Sequence, residues 1–296
     1  MRGAILCAVS GLSIAPEKMT EPKSTGGHLP GYLATQRDDR WWIEPLLTGL
    51  GFALFVVYST WAAFQGAHYW AGSYLSPFYS PLLFIDDSVA GAAPIGHAWF
   101  GHWPDSLRAI WPSWLPISPA FLILAGPLGF RGTCYYYRKF YYRAYFSSPP
   151  GCGIEGARKG KYRGETGLFL IQNLHRYTLY IAIAYIVILY YDAYHSFFRD
   201  GEGGVGVGSI VLLINPTLLA FYTLGCHSFR HLIGGRLNCF SCDAVAEMSH
   251  QGWKKVSGLN RRHMMWAWIS LVWVGFTDLY VRMVSMEIWQ DWNTWG

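Results

Sequence analysis

Five stretches of the chain are apolar for about the twenty residues a helix needs to cross a bilayer, and the charged residues gather between them. The first, 46–69 (LLTGLGFALFVVYSTWAAFQGAHY), is introduced by Trp41 and Trp42 as interfacial anchors. The second, 118–136 (SPAFLILAGPLGFRGTCYY), is interrupted by Gly126, Pro127, Gly129 and Arg131. Pro127 is expected to kink it and to free a carbonyl that a neighbour must satisfy. The others cover 167–191, 205–231 and 263–289, and no internal repeat is evident. The pattern predicts an all-α integral membrane protein: a bundle of five transmembrane helices over 41–296, preceded by residues 1–40 as a loose cytoplasmic arm.

The loops set an orientation. The 137–166 loop carries Arg138, Lys139, Arg143, Arg158, Lys159, Lys161 and Arg163 against Glu155 and Glu165, and the 232–262 loop carries Arg236, Lys254, Lys255, Arg261 and Arg262. The alternate loops are acidic, with Asp86, Asp87 and Asp105 in one and Asp192, Asp200 and Glu202 in the other. Basic loops stay inside, so the N-terminus is predicted inside and the C-terminus outside. MRGAILCAVSGLSIA superficially resembles a signal peptide, but its cleavage fits poorly with an inside N-terminus, and Met19 opens a polar stretch that reads as an alternative start.

Composition narrows the class further. Charged residues make up 14% of the 296, against roughly 25% in soluble domains, while 52% are hydrophobic and 18% aromatic. Such a chain is neither a soluble globule nor disordered. The net charge of +5 is spread over loops rather than along one stripe, which argues against nucleic acid as a partner. Six cysteines are too few for a disulfide scaffold. Cys7, Cys134 and Cys152 read as ordinary reduced thiols.

Candidate chemistry concentrates at the inner end of the fourth stretch, GCHSFRHLIGGRLNCFSC. His227 and His231 are four apart and share a helix face, Gly234 and Gly235 are placed to end that helix with a left-handed cap, and Cys239 and Cys242 form a CxxC pair. Two imidazoles and two thiolates suit a structural zinc ion, although zinc sites usually run CxxC first. They also suit a Rieske-type [2Fe-2S] cluster, whose own usual spacing mixes Cys and His in each half. Cys226 falls off the His face and reads as a neighbour, unless the helix unwinds to admit it as a third sulfur ligand. Among other polar groups in the spans, Asp278 and Arg282 read as an internal salt bridge. His175 with His227 or His231 is a competing pair of haem ligands.

The five spans, the stretch RYTLYIAIAYIVILYYDAYHSFF and above all GCHSFRHLIGGRLNCFSC resemble the membrane-anchor, cytochrome b-like subunit of an actinobacterial-type bacterial succinate dehydrogenase (respiratory complex II). The resemblance implies the bacterial cytoplasmic membrane as location, and flavoprotein and iron-sulfur subunits as partners on its inner side. It also implies quinone as electron acceptor and a complex open to higher oligomerisation. It places the [2Fe-2S] cluster on His227, His231, Cys239 and Cys242, ahead of haem b, since the first two spans offer only His68 as an axial ligand. On this reading His175, Arg176 and Tyr177 on the third span, with Arg230 and Trp266, are the candidate quinone-binding residues. A membrane scaffold stapled by zinc is the reading from a different functional class.

Overall fold

The computed structural model describes residues 31–157, 169–235 and 237–295. In chain order its helices are α1 (Ile43–Gln65), α2 (Asp105–Ile110), α3 (Ala120–Ile123), α4 (Ala125–Gly132) and α5 (Tyr135–Ala144). They continue with α6 (Phe169–His195), α7 (Val207–Leu224), α8 (His227–Gly234), α9 (Ala244–Asn260) and α10 (His263–Ser285). Four of these, α1, α6 from Asn173, α7 and α10, are long and apolar enough to cross a membrane. The centre of the bundle is α7, packed between α6 and α10, with α4 against α6 and α1 against α5.

Helix α1 shows why these segments need lipid. Leu50, Leu54, Val57 and Trp61 recur at helical spacing and are all exposed, whereas the small residues Gly49, Ala62 and Ala63 face the bundle. Such an outward apolar stripe is stable only against hydrocarbon. Gly66 closes α1 in a left-handed conformation (φ 60°). Residues 66–119 then fold over that end of the bundle. Hairpin strands β1 (Trp70–Ala71) and β2 (Tyr74–Leu75) lie near a buried aromatic core in which Tyr69 stacks on Tyr79 at 4.5 Å.

The second apolar stretch is broken as its proline requires. Pro127 stands in the first turn of α4, where its missing N–H is harmless, and the hydrogen-bond ladder is interrupted at Leu124, whose backbone stays right-handed helical. The carbonyl four residues before it, Ile123 O, accepts a hydrogen bond from the Tyr185 hydroxyl at 2.8 Å. Close approach of α4 to α6 makes this bond possible, for a Cβ on Gly126 would lie 3.0 Å from Ile181 Cγ2. Tyr185→Phe is therefore expected to destabilise the protein by about 1–3 kcal/mol through an unsatisfied buried carbonyl. A lowered thermal midpoint in detergent, with helix content unchanged by circular dichroism, checks it.

Three expectations need correction. The fourth stretch does not run as one helix to His231: Cys226 has an extended backbone (ψ 156°), and its Sγ accepts from the Phe229 N–H at 3.2 Å, so α8 starts afresh at His227. Nor does α8 end in a left-handed cap, since Gly235 has φ −74°. The later part of the expected loose arm is also tied down. The Leu33 N–H donates to Glu155 O at 3.0 Å and Thr35 Oγ1 to Gly153 O at 2.9 Å. Residues 1–30, and Arg158, Lys159, Lys161, Arg163, Glu165 and Arg236 among the loop charges, lie outside the described residues.

Candidate functional site

The ligand set expected from GCHSFRHLIGGRLNCFSC is not assembled. Cys239 and Cys242 are joined as a disulfide, which leaves neither sulfur as a thiolate donor. His227 is exposed at the start of α8, and His231 turns its Nδ1 to the Arg176 guanidinium at 3.2 Å. The disulfide is the physical reason, because it takes both sulfurs that the set needs. Among the described residues no three His, Cys, Asp or Glu side chains converge on a point that could hold one metal ion.

Of the expected quinone residues, four have partners of their own. His175 is buried, Tyr177 is 69% exposed, and Arg176 is engaged with His231. Arg230 lies over the Trp253 ring at 4.3 Å, and Trp266 packs against Phe221 at 4.9 Å. A cavity of about 440 Å³ opens between α1, α5 and α10, and none of the five lines it.

What the fold does bring together lies deeper. Cys134 precedes α5, His175 is in α6, Cys226 follows α7, and His263 begins α10; all four are buried at the same end of the bundle. Cys134 Sγ is 3.9 Å from His263 Nε2, and both thiols belong to one core cluster with Phe130, Tyr137 and Tyr222. The two thiols are within electrostatic reach of each other, as are the two imidazoles. His175 stacks on Phe130 at 4.5 Å and His263 on Tyr222 at 5.0 Å, and those two rings meet edge to face at 5.5 Å.

Local bonding aims these groups. His175 Nδ1 lies 3.1 Å from Phe130 O, and since a carbonyl only accepts, Nδ1 carries the proton and Nε2 keeps its lone pair. His263 Nδ1 and the Tyr222 hydroxyl are buried without hydrogen-bond partners. Arg131 places a positive charge beside this group, 4.9 Å over the Tyr222 ring, anchored through the Tyr137 hydroxyl, Ala267 O (3.3 Å) and Ser270 Oγ (3.2 Å). These two unpaired polar atoms lie in the same buried region as the two thiols and the His175 ring.

Sequence reasoning misses Cys134 and His263, because neither has a partner nearby in the chain, and admits Cys226 as a ligand only if the helix unwinds there, as it does. Cys134 reads as an ordinary thiol, and His263 only as the start of the fifth stretch. A signal existed: Cys134, His175, Cys226 and His263 each stand within a few residues of the same end of successive apolar stretches, which puts four soft ligands at similar depth.

Comparison with known proteins gives the context. Residues 43–287 match the model of a family described as actinobacterial succinate dehydrogenase subunit SdhC. Among solved structures, the chain is similar to one from the Mycobacterium smegmatis Sdh1 complex in the apo form. The identity is 43% and the TM-score 0.74, over 85% of this chain and 90% of the other. No curated protein matches the chain.

Proposed function

Because this chain belongs to the actinobacterial SdhC family of succinate dehydrogenase subunits, we propose that it passes electrons from the enzyme's iron-sulfur subunit to membrane quinone through a [2Fe-2S] group held by Cys134, Cys226, His175 and His263. It is a multi-pass membrane subunit of a bacterial inner-membrane enzyme and is not catalytic alone.

The observation that carries the proposal is the buried set of two thiols and two imidazoles with the orphaned His263 Nδ1 beside it. A Rieske-type group asks for that donor set, two sulfurs on one iron and two imidazoles on the other. Each iron then needs only two protein donors, so convergence of three on one point is not required. When bound, such a group supplies a one-electron carrier at about −150 to +300 mV, against about −400 mV for an all-cysteine plant-type cluster. The chain's own part is to hold donors and charge: Phe130 O fixes the His175 tautomer, the core around Tyr137 and Tyr222 excludes water, and Arg131 keeps a positive charge over the Tyr222 ring. The set His227, His231, Cys239 and Cys242 is the rival location, and haem on His175 or a structural zinc are the rival groups. Low-temperature EPR of the reduced complex, with iron, sulfide and zinc analysis, separates the groups. The expected result is a rhombic signal of low average g; a silent zinc-containing site or a Soret band overturns it.

The same reading takes α3 and α4 together as a fifth crossing, with α5, α8 and α9 on the cytoplasmic side facing the flavoprotein and iron-sulfur subunits. The surplus of Lys and Arg in the loops at that end supports it. Lys255→Cys is exposed on α9 and is expected to resist an impermeant thiol reagent in intact cells but to react in inverted vesicles. Labelling in intact cells reverses the orientation.

A further inference from the structure

We propose that the cavity between α1, α5 and α10 seats one anionic phospholipid, its phosphate on Lys139 and Arg143 and one acyl chain running down between α1 and α10. The cavity measures about 440 Å³, inside the roughly 300–1,000 Å³ range of small-molecule sites. Its lining runs along α1 from Glu44 to Gly51 and along α10 from Met264 to Val272. At about 1.5 Å per residue it therefore reaches about 10–12 Å from those helix ends toward the bilayer middle. That is most of the roughly 15 Å that one leaflet contributes to the hydrocarbon core.

The lining changes character along that depth. Glu44 stands in the first turn of α1, and Lys139 and Arg143 share one face of α5, four residues apart. Among the described residues, none of these three charges forms an ion pair. Deeper in, Gly51, Trp268 and Val272 give an apolar wall, and Leu47, Met264 and Val272 are exposed on the lipid side. A charged end and an apolar end match the polarity of an amphiphile standing upright in a leaflet. A free phosphate could use only the rim.

Charge selects the head. Two cations against one carboxylate leave the rim with a net positive charge, which one phosphodiester neutralises and a head of zero net charge leaves standing. A guanidinium also presents paired donors that match phosphate oxygens. Basic pockets between membrane helices on the cytoplasmic side suit anionic lipid heads, and the orientation proposed above puts this end there. The walls are held without a ligand: the Tyr145 hydroxyl donates to Gly49 O at 2.7 Å, and Phe140 packs edge to face on Trp268 at 5.2 Å. A lipid seated between them ties α5 to α1 and α10, and α5 follows directly on the buried Cys134.

The test uses the assembled complex, stripped of lipid in detergent and titrated with dioleoylphosphatidylglycerol, with bound lipid counted by native mass spectrometry and the thermal midpoint followed. The wild type is expected to bind the lipid and to gain thermal midpoint. The double variant Lys139→Gln, Arg143→Gln is expected to lose one tight equivalent, weakened about tenfold or more, and much of that gain. Gly51→Leu probes the apolar half: Gly51 lines the cavity and a Cβ there meets nothing within 4 Å, so the added side chain fills space without striking a neighbour. It is expected to assemble and to weaken the same equivalent. Dioleoylphosphatidylcholine bound as tightly, or an unchanged equivalent in both variants, overturns the assignment. Displacement of the lipid by inorganic phosphate leaves only an ion site at the rim, and displacement by a short-chain quinone makes the cavity a quinone site; each overturns it. Should the double variant not assemble, Gly51→Leu and the comparison of the two lipids on the wild type decide.

Discussion

Replacing Cys134 and Cys226 together by Ser is expected to remove two irons and two sulfides from the assembled complex and to abolish its Rieske-type signal. Quinone reduction per complex should fall by more than about 100-fold, beyond what loss of a mere outer-shell partner costs a metal site. Both thiols are buried and exposed to no solvent that could substitute for them as ligands. The double variant His227→Ala, His231→Ala is expected to keep the iron, because those residues stand on α8 outside the buried cluster. Iron analysis with EPR on the two double variants therefore chooses between the sites. Iron kept in the cysteine variant and lost in the histidine variant returns the group to the rival set.

Asp278→Ala is expected to prevent accumulation of the protein in membranes. Asp278 and Arg282 are both fully buried, one helical turn apart on α10, with Arg282 Nε 3.5 Å from Asp278 Oδ2. Tyr58 also donates to Asp278 at 2.5 Å, Ser76 donates to its other oxygen, and Arg282 donates to Ala67 O at 2.8 Å. Removing the carboxylate strands a guanidinium in a low-dielectric interior, a loss of about 3–5 kcal/mol. A well-packed apolar pair, Asp278→Leu with Arg282→Met, removes both charges and is expected to recover part of that loss. Recovery is incomplete because the Tyr58 and Ser76 hydroxyls lose their acceptor and Ala67 O its donor. Membrane content by immunoblot and the thermal midpoint of the purified complex report both effects. A single variant as abundant and stable as the double contradicts the account.

Much of the architecture is legible in the residues alone. Length and apolarity are local properties, so 46–69, 167–191 and 263–289 locate α1, α6 and α10 to within a few residues. The place of Pro127 foretells both the break before α4 and the need for an outside donor to Ile123 O, later supplied by Tyr185. The charges four apart on α10 read as a pair and are one. Family membership follows from the same local patterns and is borne out over 43–287.

The site was another matter. His227, His231, Cys239 and Cys242 are near in sequence, and sequence reading rewards nearness; a disulfide between the two cysteines and the turn of His231 toward Arg176 defeat the inference. Cys134, His175, Cys226 and His263 stand on different elements, and only the packing of α4, α6, α7 and α10 carries them to one depth and one core. The cavity between α1, α5 and α10 has the same origin, since its walls are set by Tyr145 reaching Gly49 across 96 residues of chain. The sequence by itself determined which segments need lipid, because that depends on each segment's own surface. Only the tertiary structure decided which buried donors meet, because a side chain's neighbours across a helix interface depend on rotation and depth, which no single segment encodes.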